Sequence, residues 1–141
     1  MSFEKIDIKD NKAEEGRSCI IVCNFNGKEL KAVKNYASML GIRDQIFLSA
    51  KDGNSVIKDV LEDNIVSNCE DGIKQKAIIF NCISPAKMNI FLDNLKKIRI
   101  NNILKAVVTE TSKEWSINIL LSNLIAENRA IKLGEEIEHK M

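Results

Sequence analysis

Cysteines have the widest chemistry in this chain, and they lie at Cys19, Cys23, Cys69 and Cys82. Cys23 ends an apolar run and precedes a loop and a helical pattern, where the helix dipole would lower the pKa of a thiol and create a nucleophile. A cysteine in an apolar run is more often a small buried side chain. We expect this structural role for Cys23, with the thiol nucleophile open as the alternative.

The position of Cys23 resembles that of the reactive cysteine in two phosphate-handling families. Low-molecular-weight tyrosine phosphatases have an arginine six residues after the cysteine, and here that position is Glu29, which would repel a phosphate. The cysteine-phosphorylated IIB domains of sugar phosphotransferase systems offer glycine, serine and threonine donors, whereas NFNGKE has one glycine and no hydroxyl. The resemblance implies a similar architecture without the phosphate-binding chemistry.

Carboxylates and amides are the other groups that could do chemistry. Glu110 could pair with Asp52 or Glu114 for acid and base catalysis, but an acid near a helix start is stabilised by the helix dipole with or without a reaction to perform. A receiver-type phosphoacceptor needs acids at the ends of its first and third strands to hold Mg²⁺, and Asn24 and Asn81 are neutral. We therefore predict no catalytic residue.

Motifs for cofactors and metals are missing from the sequence. CNFNGKEL carries one glycine, with no G-x-G-x-x-G pattern and no Walker A loop, so we predict no cofactor. Cys19 and Cys23 have no histidine nearby, and two thiols do not make a zinc site, so we predict no metal. Cys23 with Cys82 could at most form a weak redox pair.

Four apolar runs of strand length alternate with helical patterns. The runs are residues 18–24, 43–50, 76–83 and 105–111. Ser84 and Pro85 are typical of a helix start after the third run, and Thr111 with Glu114 forms a possible capping box before a long helix over residues 112–133. This alternation predicts an α/β fold, a small three-layer sandwich with a four-stranded parallel sheet, flavodoxin-like order 2-1-3-4, and helices on both faces.

Ligands of an open parallel sheet bind where the carboxyl ends of the strands meet. The predicted ligand-binding residues are the side chains expected at that edge: Cys23, Asn24, Asn81, Cys82, Thr109 and Glu110. Ser49 to Asp52 are expected at its outer part. If the sheet is parallel throughout, all of these side chains share one pocket.

Charge and hydropathy restrict the partners and the location. The net charge is +1, with 17 lysines and 4 arginines, which does not favour nucleic acid or an anionic membrane. No apolar run approaches the roughly 18 residues of a membrane span, so we predict no membrane contact and a cytoplasmic protein. We predict a flexible charged segment at 1–16, one α/β domain at 17–134 and a tail at 135–141.

The long last helix carries a second apolar line beside its core-facing stripe. On a helical wheel, Trp115 falls opposite that stripe and in line with Ile119 and Ala126. Trp115 either folds over the rim of the core or anchors a contact surface. The predicted interface is therefore Trp115, Ile119 and Ala126, with a homodimer or another protein as the partner.

KAVVTETSKEW followed by LLSNLIAE resembles the carboxyl-terminal signature of a bacterial family of domains of unknown function from low-GC, clostridial-type anaerobes. The residues that carry the resemblance are Lys105, Ala106, Thr109, Thr111, Trp115, Leu120, Leu124 and Glu127. It covers about the last 50 residues, and Glu110 stands where the family commonly has proline. The resemblance implies an α/β fold and a bacterial source, and it implies no activity.

Two classes of function remain from the sequence. We favour a non-catalytic binding or protein-interaction module with a regulatory role, because the acidic, glycine-rich and metal motifs of common enzymes are missing. The alternative is a small-molecule-binding or thiol-based enzyme that uses Cys23, Asn24, Asn81, Cys82 and Thr109.

Overall fold

A computed structural model describes residues 16–140 of the chain, with side chains for residues 16–130. The predicted flexible segment 1–16 lies outside this range apart from Gly16. The strands are β1 (Cys19–Cys23), β2 (Gln45–Leu48), β3 (Ala77–Asn81) and β4 (Leu104–Val107), and the α-helices are α1 (Gly27–Met39), α2 (Ile57–Val60), α3 (Pro85–Lys97) and α4 (Ile117–Lys140). Short 3₁₀ turns lie at Ala50–Asp52 and Ser112–Glu114.

The sheet has the predicted strand order β2-β1-β3-β4 but is mixed rather than parallel. β1 pairs in parallel with β2, and β3 with β4, whereas β1 and β3 are antiparallel. The prediction of a wholly parallel, flavodoxin-like sheet is therefore wrong at its centre. The connection between β2 and β3 is long enough for a parallel crossover, but its only described α-helix, α2, has four residues and Cys69 N donates to Lys51 O at 2.9 Å. The chain therefore stays at the end of the sheet where β2 finishes, and β3 starts there.

The described chain consists of two similar halves related by an approximate two-fold axis through the centre of the sheet. β1 and β3 each have five residues, and α1 and α3 each have 13. The central pair of the antiparallel ladder is Ile21 with Ile79, two residues that occupy the same place in their own strands. Each half reads strand, helix, strand, 3₁₀ turn, helix.

Residue-level contacts obey the same two-fold symmetry. Ile57 N donates to Trp115 O at 2.9 Å, and Ile117 N donates to Ser55 O at 2.9 Å. The two-fold axis maps each of these hydrogen bonds onto the other. Val56 and Ser116 form an antiparallel bridge between them. Equivalent residues are thus 58 positions apart from β1 to the end of α1 (Ile21 and Ile79) and 60 apart from β2 onward (Ile57 and Ile117).

Helices cover both faces of the sheet, which confirms the predicted three-layer α/β arrangement. On one face, α1 and α3 pack on Ile20, Val22, Ile78 and Phe80. On the other face, α2 and α4 pack on a second set of buried strand residues, Cys19, Ile21, Cys23, Ala77 and Ile79. The strands at the centre are buried on both faces, which is why their sequences are continuous apolar runs.

Only one of the two predicted helix starts has the predicted cap. α3 begins as predicted, with Ser84 Oγ accepting from Lys87 N at 3.3 Å and Pro85 first in the helix. The predicted capping box of Thr111 and Glu114 is not formed, and Ser116 precedes α4 with its Oγ accepting from Ile119 N at 3.2 Å. α4 continues to Lys140, beyond the predicted 133. The division into a domain at 17–134 and a tail at 135–141 stays a prediction.

Candidate functional site

An open groove of about 580 Å³ lies at the carboxyl ends of β3 and β4. Four of the six predicted ligand-binding residues line it, namely Asn81, Cys82, Thr109 and Glu110. We call this space the β3–β4 groove. It lies where ligands bind beside parallel strands, because β3 and β4 are a parallel pair even though the whole sheet is not.

Polar side chains in the groove are held by the neighbouring backbone. Asn81 Nδ2 donates to Arg17 O at 2.7 Å, and Ser18 Oγ donates to Cys82 O at 3.0 Å, so the chain entering β1 forms one wall. Thr109 N donates to Ser112 Oγ at 2.9 Å, and Ser112 N donates to Thr109 Oγ1 at 3.0 Å. These reciprocal bonds fix the turn after β4, and they explain why the predicted cap at Thr111 does not form.

Arg17 stands at the rim of the groove as the centre of a charged clamp. Its guanidinium donates to both carboxylate oxygens of Asp44, at 2.6 and 2.8 Å, to Asp63 Oδ1 at 2.8 Å and to Leu61 O at 3.0 Å. The hydrogen bonds to Asp44 and Asp63 raise the pKa of Arg17, and those from Arg17 hold the pKa of Asp44 below its ordinary value of 3.8. The clamp ties β1 to β2 and to the turn after α2.

Arg17→Ala is expected to lower the free energy of unfolding by about 1 kcal/mol at pH 7, a modest figure because the ion pairs are partly solvated. Because the folded pKa of Asp44 lies below 3.8, its stabilisation is complete above that value and is lost as the pH falls through the folded pKa. The difference between the two proteins should therefore shrink below about pH 4. Urea unfolding at pH 7 and pH 3 measures it.

Arg129→Ala, at an exposed position of α4, is the control for loss of an arginine outside the clamp. A cost for Arg17→Ala that equals the control, or that grows in acid, would contradict the assignment of Asp44 as the main partner.

Two further cations line the groove and each is paired with an acid. Lys58 Nζ lies 2.8 Å from Glu114 Oε2, and Lys113 Nζ lies 2.8 Å from Glu110 Oε2. The hydrogen bond to each carboxylate raises the pKa of its lysine, and the bond from Lys58 lowers the pKa of Glu114. Glu110 is 92% exposed, so this pair is weak and its cation can exchange partners.

Cys23 and Asn24 lie at the opposite end of the central strands from the groove. Cys23 pairs with Ala77 at the start of β3, whereas Asn81 at the end of β3 pairs with Cys19. Four residue steps of roughly 3.3 Å separate the two edges by about 13 Å. The six predicted residues therefore do not form one pocket, because the reversal of β3 carries its carboxyl end to the other edge.

The edge at Cys23 and Asn24 is closed by residues 64–75, which we call the covering segment. Asn24 Nδ2 donates to Ile73 O and Gln75 O, both at 2.9 Å, and Cys69 N donates to Lys51 O at 2.9 Å. The polar side chain of Asn24 is therefore occupied in holding the protein's own backbone.

The environment of Cys23 opposes a thiolate. Its side chain is 1% exposed, and burial raises the pKa of the thiol to about 12, with the nearby Asp52 carboxylate acting in the same direction. Burial likewise raises the pKa of Cys19 to about 11. Reactive thiols need a lowered pKa and access to solvent, and Cys23 has neither.

Thiol alkylation in the folded chain tests this environment. We expect iodoacetamide at pH 8 to modify Cys69 and Cys82, which are half-buried, at least about tenfold faster than Cys19 and Cys23. Mass spectrometry of proteolytic peptides after timed quenching gives the four rates, and urea-unfolded protein gives the reference. Fast modification of Cys23 in the folded chain would contradict burial and favour the thiol enzyme.

The predicted interface residues do not form a single line on α4. Trp115 precedes the helix in an extended conformation and packs, half-buried, against the core that includes Ile21 and Ile117. Ile119 is 49% exposed and Ala126 is exposed on α4 itself. The structure places Trp115 at the core rim and leaves Ile119 and Ala126 on the surface.

Arg17, Lys58 and Lys113 line the groove but were not expected there from the sequence. In a wholly parallel sheet, Arg17 would lie before the amino end of β1, away from any ligand edge. A signal in the sequence is the shortness of the apolar helical pattern at Ile57–Val60 compared with the 13-residue helices that follow β1 and β3.

Within the part of the chain that the structure describes, no cluster of three metal-ligating side chains occurs. Over that same part, every buried side-chain nitrogen and oxygen has a hydrogen-bond partner. None of its helices has the length and apolar character needed to cross a membrane. The cytoplasmic location stays a prediction.

Residues 76–131 match a family described as a domain of unknown function (DUF3783). The match begins just before β3 and ends inside α4, so it covers most of the second half of the fold, including eight of the residues that line the groove. No curated protein and no solved structure matches the chain. The predicted domain of unknown function is confirmed here, whereas the bacterial source and the Lys-Ala to Trp signature stay predictions.

Proposed function

We propose that the protein is a non-catalytic binding module that acts through the β3–β4 groove in a regulatory or protein-interaction role. The observation that carries this proposal is the contrast between the two edges of the sheet. Among residues 16–140, the covering segment fills the end of the sheet where β1 and β2 finish, and a groove of about 580 Å³ lies at the equivalent end where β3 and β4 finish.

Binding fits the groove better than catalysis does. Its three cations are paired with carboxylates, and Asn81 and Thr109 are held by the backbone and by Ser112. Lys58 and Lys113 can be released to a ligand at low cost, since their ion pairs are exposed to solvent. They are not arranged as a nucleophile beside a base, which catalysis of group transfer needs.

The alternative enzyme would have to work without Cys23 and Asn24, which lie at the closed edge. Cys82, Asn81 and Thr109 do share the groove, so a small molecule could bind there. A partner protein is the ligand that we favour.

Native mass spectrometry of the gently purified full chain tests the proposal. We expect a bound mass or an added subunit that Val107→Lys removes, because Val107 lines the groove and is 47% exposed. Ile90→Lys is the matched control, since Ile90 is 50% exposed on α3 and is not a lining residue of the groove.

Retention of the bound mass by Val107→Lys, or a bare monomer in every sample, would contradict binding through the groove. A dimer that survives Val107→Lys but is lost in Ile119→Lys would instead assign the contact to the exposed surface of α4.

A further inference from the structure

We propose that the chain's own residues 6–15 lie across the β3–β4 groove, in the place that the covering segment takes in the first half. These residues lie outside the described range, and their place is derived from the symmetry of the residues that are described. The contact goes beyond the proposed function, because it exists before any ligand binds. A ligand would have to displace the segment, so the chain itself would regulate access to its groove.

The two-fold axis makes residues 6–17 the equivalent of the covering segment. Ile21 and Ile79 are equivalent and lie 58 residues apart, so the chain that leads into β1 corresponds to the chain that leads into β3. Subtracting 58 from the bounds of the covering segment, 64–75, gives 6–17. Because Cys19 at the start of β1 pairs with Asn81 at the end of β3, the chain enters β1 from the end of the sheet where the groove lies.

The described part of this path already lies in the groove. Gly16 and Arg17 line the groove. Gly16 has a φ of +139°, a conformation that favours glycine, and a Cβ added there would lie 3.4 Å from Cys82 Sγ. Cys82 is equivalent to Asn24, which holds the covering segment by donating to Ile73 O at 2.9 Å. From β1 back to Gly16, the chain therefore stays against the lining of the groove.

A hydrogen bond of the same kind anchors both chains as they enter the central strands. Asn24 Nδ2 donates to Gln75 O at 2.9 Å, and Asn81 Nδ2 donates to Arg17 O at 2.7 Å. The two carbonyls belong to equivalent residues, because 75 and 17 differ by 58. The final residues of the two chains are thus held alike, which favours the same path for the residues before them.

The covering segment is held mostly through its backbone, so its equivalent does not need the same sequence. The residues that bond to its backbone are Asn24, Lys51, Ser55 and Asn118. One of these bonds joins two backbones, since Cys69 N donates to Lys51 O at 2.9 Å. Its equivalent needs only the Thr111 carbonyl, which any side chain leaves in place. We therefore expect Asn11, the equivalent of Cys69, to donate to Thr111 O.

The turns after β2 and β4 are themselves held in the same way. Ser49 N donates to Asp52 Oδ2 at 2.8 Å in the first half, and Thr109 N donates to Ser112 Oγ at 2.9 Å in the second. Both lead into a 3₁₀ turn, so they present their backbone carbonyls alike.

An exposed apolar residue lies where the proposed path begins. At the start of the covering segment, Asn64 N donates to Asp59 O at 2.8 Å. The equivalents of these two residues are Ile6 and Ile119. Ile119 is 49% exposed on α4, and contact with Ile6 would remove apolar surface of both side chains from water.

A disulfide between positions 11 and 111 tests this placement. Asn11→Cys and Thr111→Cys change the equivalents of two residues that share a backbone hydrogen bond, so their Cα atoms would be within the range that a disulfide spans. After mild oxidation of the full chain carrying Cys82→Ser, we expect peptide mass spectrometry to find this linkage. Asn11→Cys with Asn101→Cys is the control pair and should not link, because Asn101 is exposed near the start of β4, at the opposite end of the sheet.

Amide exchange measures the contact without new cysteines. We expect exchange in residues 6–15 to be at least about tenfold slower in the full chain than in a peptide of residues 1–18. Ile119→Lys should remove most of this protection. Ile90→Lys is the matched control, since Ile90 is 50% exposed on α3, and it should leave the protection unchanged.

Two results would overturn the contact. In the first, positions 11 and 111 do not link and residues 6–15 exchange as fast as the free peptide, as a flexible segment would. In the second, the linkage joins two molecules and appears as a disulfide-linked dimer in non-reducing mass spectrometry. That dimer would assign the groove to the segment of a second copy.

Native mass spectrometry separates this contact from the proposed function. We expect oxidation of the variant with cysteines at positions 11 and 111 to lower the fraction that carries a bound mass, and reduction to restore it. A bound mass that Val107→Lys removes, without the linkage, would leave the binding module standing and overturn the covering contact. The linkage in a chain that is a bare monomer in every sample would support the covering contact and contradict the binding module.

Discussion

Gly72→Ala is expected to displace the covering segment from the edge at Asn24 and to lower the free energy of unfolding by about 3 kcal/mol. A Cβ at Gly72 would overlap the carbonyl of Ala50, and this obstacle is backbone in a capped turn that cannot move aside. Urea unfolding measures the loss of stability. Amide exchange of residues 64–75 measures the displacement, which should appear as faster exchange at Val66, Cys69 and Ile73.

Gly27 provides the control for Gly72. Gly27 has a φ of +58° with no atom within 4 Å of an added Cβ, so Gly27→Ala should cost about 1 kcal/mol of backbone strain alone. Gly53 is unsuitable as a control, because an added Cβ there would meet the Asn118 side chain, which bonds the covering segment at Cys69 and Ile73. Equal costs at Gly72 and Gly27, with unchanged exchange in the segment, would show that the segment is not tightly packed.

The secondary structure could be predicted because its signals are local. Continuous apolar runs marked each strand, and Ser84 with Pro85 marked the start of α3. Strand order also agreed, because the two most apolar strands occupy the centre of the sheet. These features depend on burial, which the residue types report directly.

The direction of β3 could not be read from the same signals. A buried strand has the same apolar sequence whether its neighbours are parallel or antiparallel. The direction of the strand depends on the end of the sheet at which the preceding connection finishes. Here α2 ends at Val60 and residues 64–75 stay at the edge where β2 ends. This one reversal divided the expected site, leaving Cys23 and Asn24 under the covering segment and Asn81 and Thr109 in the groove.

The internal repeat was hidden because equivalent residues have different chemistry. Val33 is equivalent to Phe91, and Ala37 to Leu95, and all four are buried on the same face. At both positions the second half therefore carries the larger side chain, which keeps the shared core filled while it erases the sequence similarity. The same divergence placed Lys58 in the groove at the position equivalent to the neutral Asn118.

Phe91→Ala is expected to produce the largest loss of stability, about 3–5 kcal/mol. Phe91 is fully buried, and its ring meets Phe80 edge to face, with centroids 6.0 Å apart and planes at 81°. Val33 and Ala37 of α1, which belong to the same core cluster, are too small to fill the space that it leaves. Urea unfolding followed by the fluorescence of Trp115 measures the change.

Matched substitutions separate the role of the ring from general damage to α3. Ile90→Ala removes an apolar side chain that is 50% exposed on the same helix, and it should cost less than about 1 kcal/mol. Phe91→Val places valine at both equivalent positions, 33 and 91. Adding Val33→Phe to this variant should recover part of the lost stability, because the double variant restores the total side-chain volume of the core. A cost for Phe91→Ala no greater than that for Ile90→Ala would contradict a core built from complementary large and small residues across the axis. Recovery in the exchanged pair would show that the two halves are interchangeable at this contact.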